Sequence, residues 1–186
     1  MDHFNLLAPI YDKIIPAGPP DRFTRWLAGK RHAALLDVGG GTGRTAQLLR
    51  DHADTLVLVD LSMEMLRVSQ RKGGLRPVCG QSERLPFPES SFDCVVMIDA
   101  LHHVIDQAAS AAEMWRVLAP GGSILIQEPN PQTTAGKLIA IMEKILLMRS
   151  KLLTPALIAA LFDFDGARAA VELDGMATWV VVEKFL

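Results

Sequence analysis

The chain has 186 residues, which suits one domain with a real core, and its 49% hydrophobic and 22% charged residues are globular composition that excludes a disordered segment. A formal net charge of -2 excludes the strongly basic balance by which proteins wrap a phosphate backbone, so no nucleic-acid partner is expected.

The first segment, Phe4 to Ile15, has Phe4, Leu7, Ala8 and Tyr11 at helical spacing, with Pro9 kinking it or opening a second piece. Pro16-Ala17-Gly18-Pro19-Pro20 then separates this arm (residues 1–20) from a body (residues 21–186), the two forming one domain over 1–186. Asp21 is placed to cap a short helix carrying Phe23, Trp26 and Leu27. Ala33 to Val38 is a short apolar strand ending in glycines, and Thr42 to His52 reads as a helix. Thr55 to Val59 is a β-branched strand closed by Asp60. Ser62 caps a helix running to Arg71, with Met65, Leu66 and Ser69 facing inward. Leu75 to Cys79 is a third strand. Phe92 to Ile98 is a fourth, almost wholly apolar, as strands covered on both faces are. Gln107 to Leu118 is a helix stopped by Pro120-Gly121-Gly122, and Ser123 to Gln127 is a fifth strand. Thr134 to Met148 reads as a long helix and Pro155 to Phe162 as a shorter one. Ala167 to Leu173 and Thr178 to Lys184 are joined by Asp174-Gly175-Met176-Ala177 alone, too short for a crossover, so they form an antiparallel hairpin.

Strands alternating with helices imply a parallel sheet covered on both faces. The expected fold is therefore α/β: a doubly wound, Rossmann-like, mostly parallel seven-stranded sheet ending in a C-terminal antiparallel hairpin. Met1-Asp2-His3 opens no basic-then-apolar leader, and the most apolar stretch, Leu138 to Leu147, is broken by Glu143 and Lys144 and is too short to span a bilayer. A cytoplasmic protein is expected. Cys79 and Cys94 both lie in apolar runs, which reads as buried thiols in a reduced compartment. Histidines, acids and cysteines do not recur at ligand spacing, so no metal is expected.

Ligands of such sheets bind beyond the carboxyl ends of the strands. Leu36-Asp37-Val38-Gly39-Gly40-Gly41-Thr42-Gly43 passes from strand to helix there, with glycines permitting a tight turn and close approach of a ligand to the backbone. Asp60 follows Gly41 by 19 residues at the end of the next strand, where a carboxylate can accept from both hydroxyls of a ribose. A nucleoside-bearing cofactor follows. The loop leaves its identity open, since Gly41-x-Gly43-x-x-Ala46 also satisfies the dinucleotide pattern.

Asp37-x-Gly39-x-Gly41-x-Gly43 resembles the hallmark loop of the class I S-adenosylmethionine-dependent methyltransferases. Val57-Leu58-Val59-Asp60-Leu61-Ser62-x-x-Met65-Leu66 resembles that family's second block, and Gly80-Gln81-Ser82-Glu83-Arg84-Leu85-Pro86-Phe87-Pro88 its third. Ile98-Asp99-Ala100-Leu101-His102-His103-Val104 resembles the segment that lines the methyl-transfer pocket, and Leu118-Ala119-Pro120-Gly121-Gly122 the turn before the fifth strand. The likeness is nearest to the subgroup of ubiquinone/menaquinone-biosynthesis C-methyltransferases, which the arm Phe4-x-x-x-Ala8-x-x-Tyr11-Asp12 also resembles.

The resemblance implies S-adenosylmethionine as cofactor and S-adenosylhomocysteine as product. It implies that Asp37, with Gly39, Gly40, Gly41 and Gly43, holds the amino-acid end, and that Asp60 binds the ribose. Leu61 and Met65 would flank the adenine, Gln81, Ser82 and Glu83 would line its rim, Asp99 and Ala100 would lie near the cofactor, and Tyr11 would close over it as a lid. Gln81 stands where the family usually has an acid, and its carbonyl accepts without charge. Methyl transfer is an in-line displacement in which the protein mainly positions the nucleophile, so a base is needed only if the acceptor loses a proton. His102 and His103 are the candidates for that base.

The implied function is methyl transfer to a small-molecule, apolar or quinone-like acceptor. Two alternatives stay open: a non-catalytic module that binds the cofactor or a partner through this fold, and an NAD-dependent oxidoreductase. No transmembrane segment is expected. The apolar helix Thr134 to Met148, flanked by Lys137, Lys144, Arg149 and Lys151, leaves room for peripheral membrane contact. Either a monomer or a homodimer is compatible with the sequence.

Overall fold

The computed structural model describes residues 7–14, 23, 26–27, 29–134, 136–138, 141 and 150–185. Its centre is a seven-stranded sheet of order β3-β2-β1-β4-β5-β7-β6. The strands are β1 (His32–Val38), β2 (Ala53–Asp60), β3 (Arg76–Cys79), β4 (Phe92–Ile98), β5 (Leu118–Pro129), β6 (Ala167–Asp174) and β7 (Ala177–Lys184). The first five pair in parallel, and β7 pairs antiparallel with both β5 and β6. The helices whose bounds fall among the described residues are α1 (Tyr11–Ile14), α2 (Arg44–Leu49), α3 (Met63–Arg71), α4 (Gln107–Val117) and α5 (Pro155–Ala160).

The chain runs outward from β1 through β2 to β3, then returns to lay β4 on the other side of β1. Strand order reverses there, so the loops after β1 and β4 part and leave a crevice at the carboxyl edge. Leu35, Leu36 and Val38 of β1, and Val95, Val96 and Met97 of β4, are fully buried, as a strand covered on both faces requires. One core layer holds Leu36, Val95, Met114, Ile124 and Phe162, the other Leu35, Leu49, Leu58, Val96 and Trp179. Trp179 meets Phe23 edge-on at 5.7 Å and stacks on Trp26 at 5.9 Å.

Local chemistry sets the element ends. The Ser62 hydroxyl accepts the Met65 N–H at 3.2 Å, and the inward residues of α3 are Met65, Leu66 and Ser69, as the periodicity requires. Gly43 adopts φ 74°, a conformation outside the helix, so α2 starts at Arg44 rather than Thr42 and ends in a 3₁₀ turn over Arg50–His52. β5 starts at Leu118, five residues before the expected strand, because Phe92 pairs with Leu118 across a register shift. Cys94 is buried, but Cys79 is exposed, against expectation. It ends β3, the outermost strand on its side, where no further strand covers it.

The Pro16–Pro20 break, the Asp21 cap and residues 135, 139–140 and 142–148 of the expected long helix lie outside the described residues. Among the described residues, no helix is long and apolar enough to cross a membrane, and no group of His, Cys, Asp and Glu could hold a metal ion.

Candidate functional site

A cavity of ≈ 310 Å³ opens at the reversal point, between the loops that follow β1, β2, β3 and β4. On its floor, Asp37, next to last in β1, has 1% exposure, and its Oδ2 has no hydrogen-bond partner. Burial, with the Asp60 charge nearby, pushes this carboxyl up to about 7, against the opposing pull of Arg44. A buried acceptor left without a donor is costly, and the cost is relieved by a ligand that brings one.

The glycines after Asp37 bring backbone to the cavity for steric reasons. A Cβ at Gly39 would stand 2.7 Å from Ala100 Cβ, and one at Gly40 would stand 2.6 Å from the Leu58 side chain and 2.7 Å from Asp37 Oδ2. Gly39 and Gly41 also take positive φ, at 70° and 54°. The Asp60 carboxylate is held in place from both sides. The Gly41 N–H donates to its Oδ2 at 2.8 Å and the Ser62 N–H to its Oδ1 at 2.7 Å. A carboxylate oxygen accepts more than one hydrogen bond, so these two contacts are compatible with acceptance from a ligand hydroxyl.

The opposite wall is the turn after β4. Asp99 takes φ 51°, rare for a residue with a side chain, and strand β5 clamps it there. The Asp99 N–H donates to the Gln127 carbonyl at 2.9 Å and Gln127 Nε2 donates to Asp99 Oδ1 at 2.7 Å. Arg44 reaches Asp99 Oδ2 at 3.3 Å, with its guanidinium 5.7 Å from the Tyr11 ring centre. Burial is the main cause that raises the Tyr11 hydroxyl above its ordinary value, with Arg44 opposing. Asp12, beside it, bonds the Thr42 hydroxyl and takes Lys72 Nζ at 2.5 Å, which ties α1 down over the glycine loop.

The cavity brings together Tyr11, Asp37, Gly39, Gly40, Gly41, Asp60, Leu61, Met65, Gln81, Ser82, Glu83, Asp99, Ala100 and His103 of the residues singled out in the sequence. Two others stand apart. Gly43 does not line the cavity: its lack of a side chain serves packing, since a Cβ there would lie 2.5 Å from Leu75 and 3.2 Å from Ser69. His102 is turned into the fold, where it is 3% exposed and its Nδ1 pairs with the Glu128 carboxylate. Adjacent residues on a tight turn point different ways, so only His103 faces the cavity.

Glu128 is the partner that the sequence reading missed. It is 2% exposed, and its Oε1 accepts the N–H groups of Ala100 at 3.0 Å and Leu101 at 2.8 Å. A lone acid closing an apolar strand was the available signal, because a buried carboxylate must be paired. Arg44 and Thr42 also line the cavity and were not among the site residues singled out in the sequence.

Residues 36–126 match the family model described as a methyltransferase domain. The chain is 37% identical over 147 residues to a ubiquinone/menaquinone biosynthesis C-methyltransferase of Stutzerimonas stutzeri, covering 72% of this chain and 57% of that protein. The chain thus spans little more than half the length of the curated relative it matches. Among solved structures, the putative methyltransferase bound to the Trm112 methyltransferase activator of Haloferax volcanii superposes with a TM-score of 0.81 over 99% of this chain and 98% of that one, at 19% identity. A Thermotoga maritima SAM-dependent methyltransferase, a possible histamine N-methyltransferase, gives a TM-score of 0.73 over 99% of this chain and all of that one, at 17% identity. At these identities, the two structures establish the common fold.

Proposed function

Because the chain belongs to the class I S-adenosylmethionine-dependent methyltransferases, we propose that it moves a methyl group from S-adenosylmethionine to a small acceptor with an apolar, quinone-like body. The observation that carries this reading is the pair Asp37 and Asp60 on one cavity, the first with a buried oxygen lacking a donor and the second held by two backbone N–H groups. S-adenosylmethionine suits this set of acceptors. Its ammonium group supplies the missing donor to Asp37, its ribose hydroxyls suit Asp60, and the bare glycines leave room for its amino-acid end. Bound there, it supplies an electrophilic methyl group on a sulfonium.

The chain's own residues orient and exclude. Leu61 and Met65 offer apolar contact to a base, with Gln81, Ser82 and Glu83 along the same rim. Tyr11, held beside Arg44 and Asp99, closes the mouth and keeps water from the reacting centre. Ala100 packs against the glycine loop. His103 is the residue placed to hold or accept a proton from an acceptor, and His102 supports it from behind, its ring centre 4.0 Å from that of His103.

The acceptor class rests on two supports: the apolar lining of Met97, Ile98, Val104 and Ile105 around His103, and the reaction named for the curated relative. We read residues 1–186 as one such domain working in the cytoplasm. The family assignment, Asp37 at the strand end and the terminal hairpin all speak against the dinucleotide alternative. The test is calorimetric titration with S-adenosylmethionine, S-adenosylhomocysteine and NADH on the wild type and Asp60→Ala. Binding of the first two, lost in the variant, is the expected result. NADH binding with no response to the others would overturn the reading.

A further inference from the structure

β6 ends the sheet on the side away from β3, and its outer edge is bare among the described residues. All of its residues from Arg168 to Leu173 are exposed, including Val171 at 43% and Leu173 at 57%. Open edges are usually blunted by proline, charged side chains (lysine above all), a bulge or a covering element, and β6 has Arg168, Glu172 and Asp174 as its charges. β6 contains no proline and no lysine, and its register with β7 is continuous from Ala167 to Asp174.

The pairing with β7 fixes which backbone groups face outward. Gly166, in register with β6, accepts the Phe185 N–H at 2.9 Å, and a two-residue turn at Gly175-Met176 closes the hairpin on the pair Asp174 and Ala177. Hydrogen-bonding direction alternates along a strand, so the even-numbered residues bond toward β7. The N–H and C=O groups of Ala169, Val171 and Leu173 therefore point outward, to where another strand would lie, as does the C=O of Ala167, whose N–H donates to the Phe164 carbonyl at 3.0 Å.

We propose that this edge pairs with itself: a second copy of the chain adds its own β6 antiparallel, across a two-fold axis through Ala170. In that register, Ala169 exchanges hydrogen bonds with Val171 of the second copy, and the Ala167 carbonyl accepts from the Leu173 N–H, which sets the exposed apolar side chains against those of the second copy. Arg168 stands directly opposite Glu172 of the second copy, twice by symmetry, at the close, non-hydrogen-bonded positions where side chains approach most nearly. Glu172 also has a partner within its own chain, and a carboxylate accepts from more than one donor. A slip of one residue is forbidden, because outward groups would meet inward ones. A slip of two would set Glu172 against Ala170 and Arg168 against Asp174. That slip keeps one opposite-charge pair but faces Glu172 with an alanine, whereas the register centred on Ala170 faces both Arg168 and Glu172 with an opposite charge. The two sheets become continuous, with the two cavities at opposite ends because the strands of the copies run in opposite directions.

Sedimentation velocity of the whole chain over a wide concentration series tests this. The expected result is a monomer–dimer equilibrium whose dissociation constant rises about tenfold or more in Arg168→Glu, where like charges face each other. The double exchange Arg168→Glu with Glu172→Arg restores it, which the register slipped by two would not allow. Val171→Pro removes an outward N–H that β7 does not use, so it abolishes the dimer while circular dichroism stays unchanged. A monomer at every concentration, a dimer indifferent to Arg168→Glu and Val171→Pro, or a double exchange that fails to restore would overturn the proposal. None of these readouts involves the cofactor or an acceptor.

Discussion

Glu128 and His102 meet behind the wall of the cavity, and the same carboxylate gathers the Ala100 and Leu101 N–H groups. One buried acid at the end of β5 thus holds the whole turn after β4. Its removal leaves a buried imidazole and two backbone donors without their acceptor.

Glu128→Ala is therefore expected to cost about 3 kcal/mol of stability, because breaking a buried pair leaves its partner uncompensated. His103→Ala, half-buried and facing the cavity, is expected to cost under about 1 kcal/mol. Urea denaturation of the two variants checks both values. Equal losses would mean that the turn is held by packing and not by Glu128.

The second prediction concerns pH. With Asp37 raised to about 7 in the free protein, it is protonated in the fold at pH values where the unfolded chain has lost that proton. Its contribution to stability is complete below the unfolded pKa of about 4 and is lost as pH rises through about 7. An ammonium-bearing ligand reverses the preference by favouring the carboxylate. S-adenosylhomocysteine is thus expected to bind more tightly as pH rises from about 5 to about 7, releasing a proton on binding below about 7. Calorimetry in buffers of different ionisation enthalpy measures that proton, and Asp37→Asn should abolish it.

The glycine loop separates space from strain. Gly40→Ala drives a methyl into Leu58 and Asp37 and is expected to cost more than about 2 kcal/mol as well as cofactor binding. Gly41→Ala meets nothing nearer than Asp60 Oδ2 at 3.8 Å, and its φ of 54° is expected to cost only about 1 kcal/mol. Thermal melts with and without S-adenosylhomocysteine distinguish them. A Gly40→Ala protein with wild-type melting and ligand shift would contradict the steric argument.

The two thiols should differ in reactivity. Burial pushes Cys94 up to about 12, with the Asp93 charge adding to the effect, while Cys79 is exposed at the end of β3. A disulfide reagent is expected to titrate one thiol in the native protein and two after denaturation, and Cys79→Ser should remove the native reaction. A native reaction that survives in Cys79→Ser would show that Cys94 is accessible.

Elements defined by nearest neighbours were legible in the sequence. Phe92–Ile98 carries its apolar run from end to end, Ser62 caps its helix through its own hydroxyl, and the two-residue turn at Gly175-Met176 allows only a hairpin. Asp37, the glycines and Asp60 were legible for the same reason, because each lies at or just beyond the carboxyl end of a strand and those ends gather at one edge. What misled were residues whose environment is set by distant chain. Cys79 lies in an apolar run, yet it is exposed because its strand lies at the outside of the sheet. Gly43 belongs to the loop's pattern, yet it serves the packing of Leu75 and Ser69.

The sequence by itself determined the strand–helix order, the hairpin and the two acids of the cavity, because periodicity and turn chemistry act over a few residues. Only the tertiary structure decided that His102 faces inward and His103 outward, that Glu128 holds the turn between them, and that β6 ends the sheet with its edge open. Each of those depends on groups at least twenty-five residues apart in the chain being brought within hydrogen-bonding distance or, for the edge of β6, being kept away. No local pattern records that.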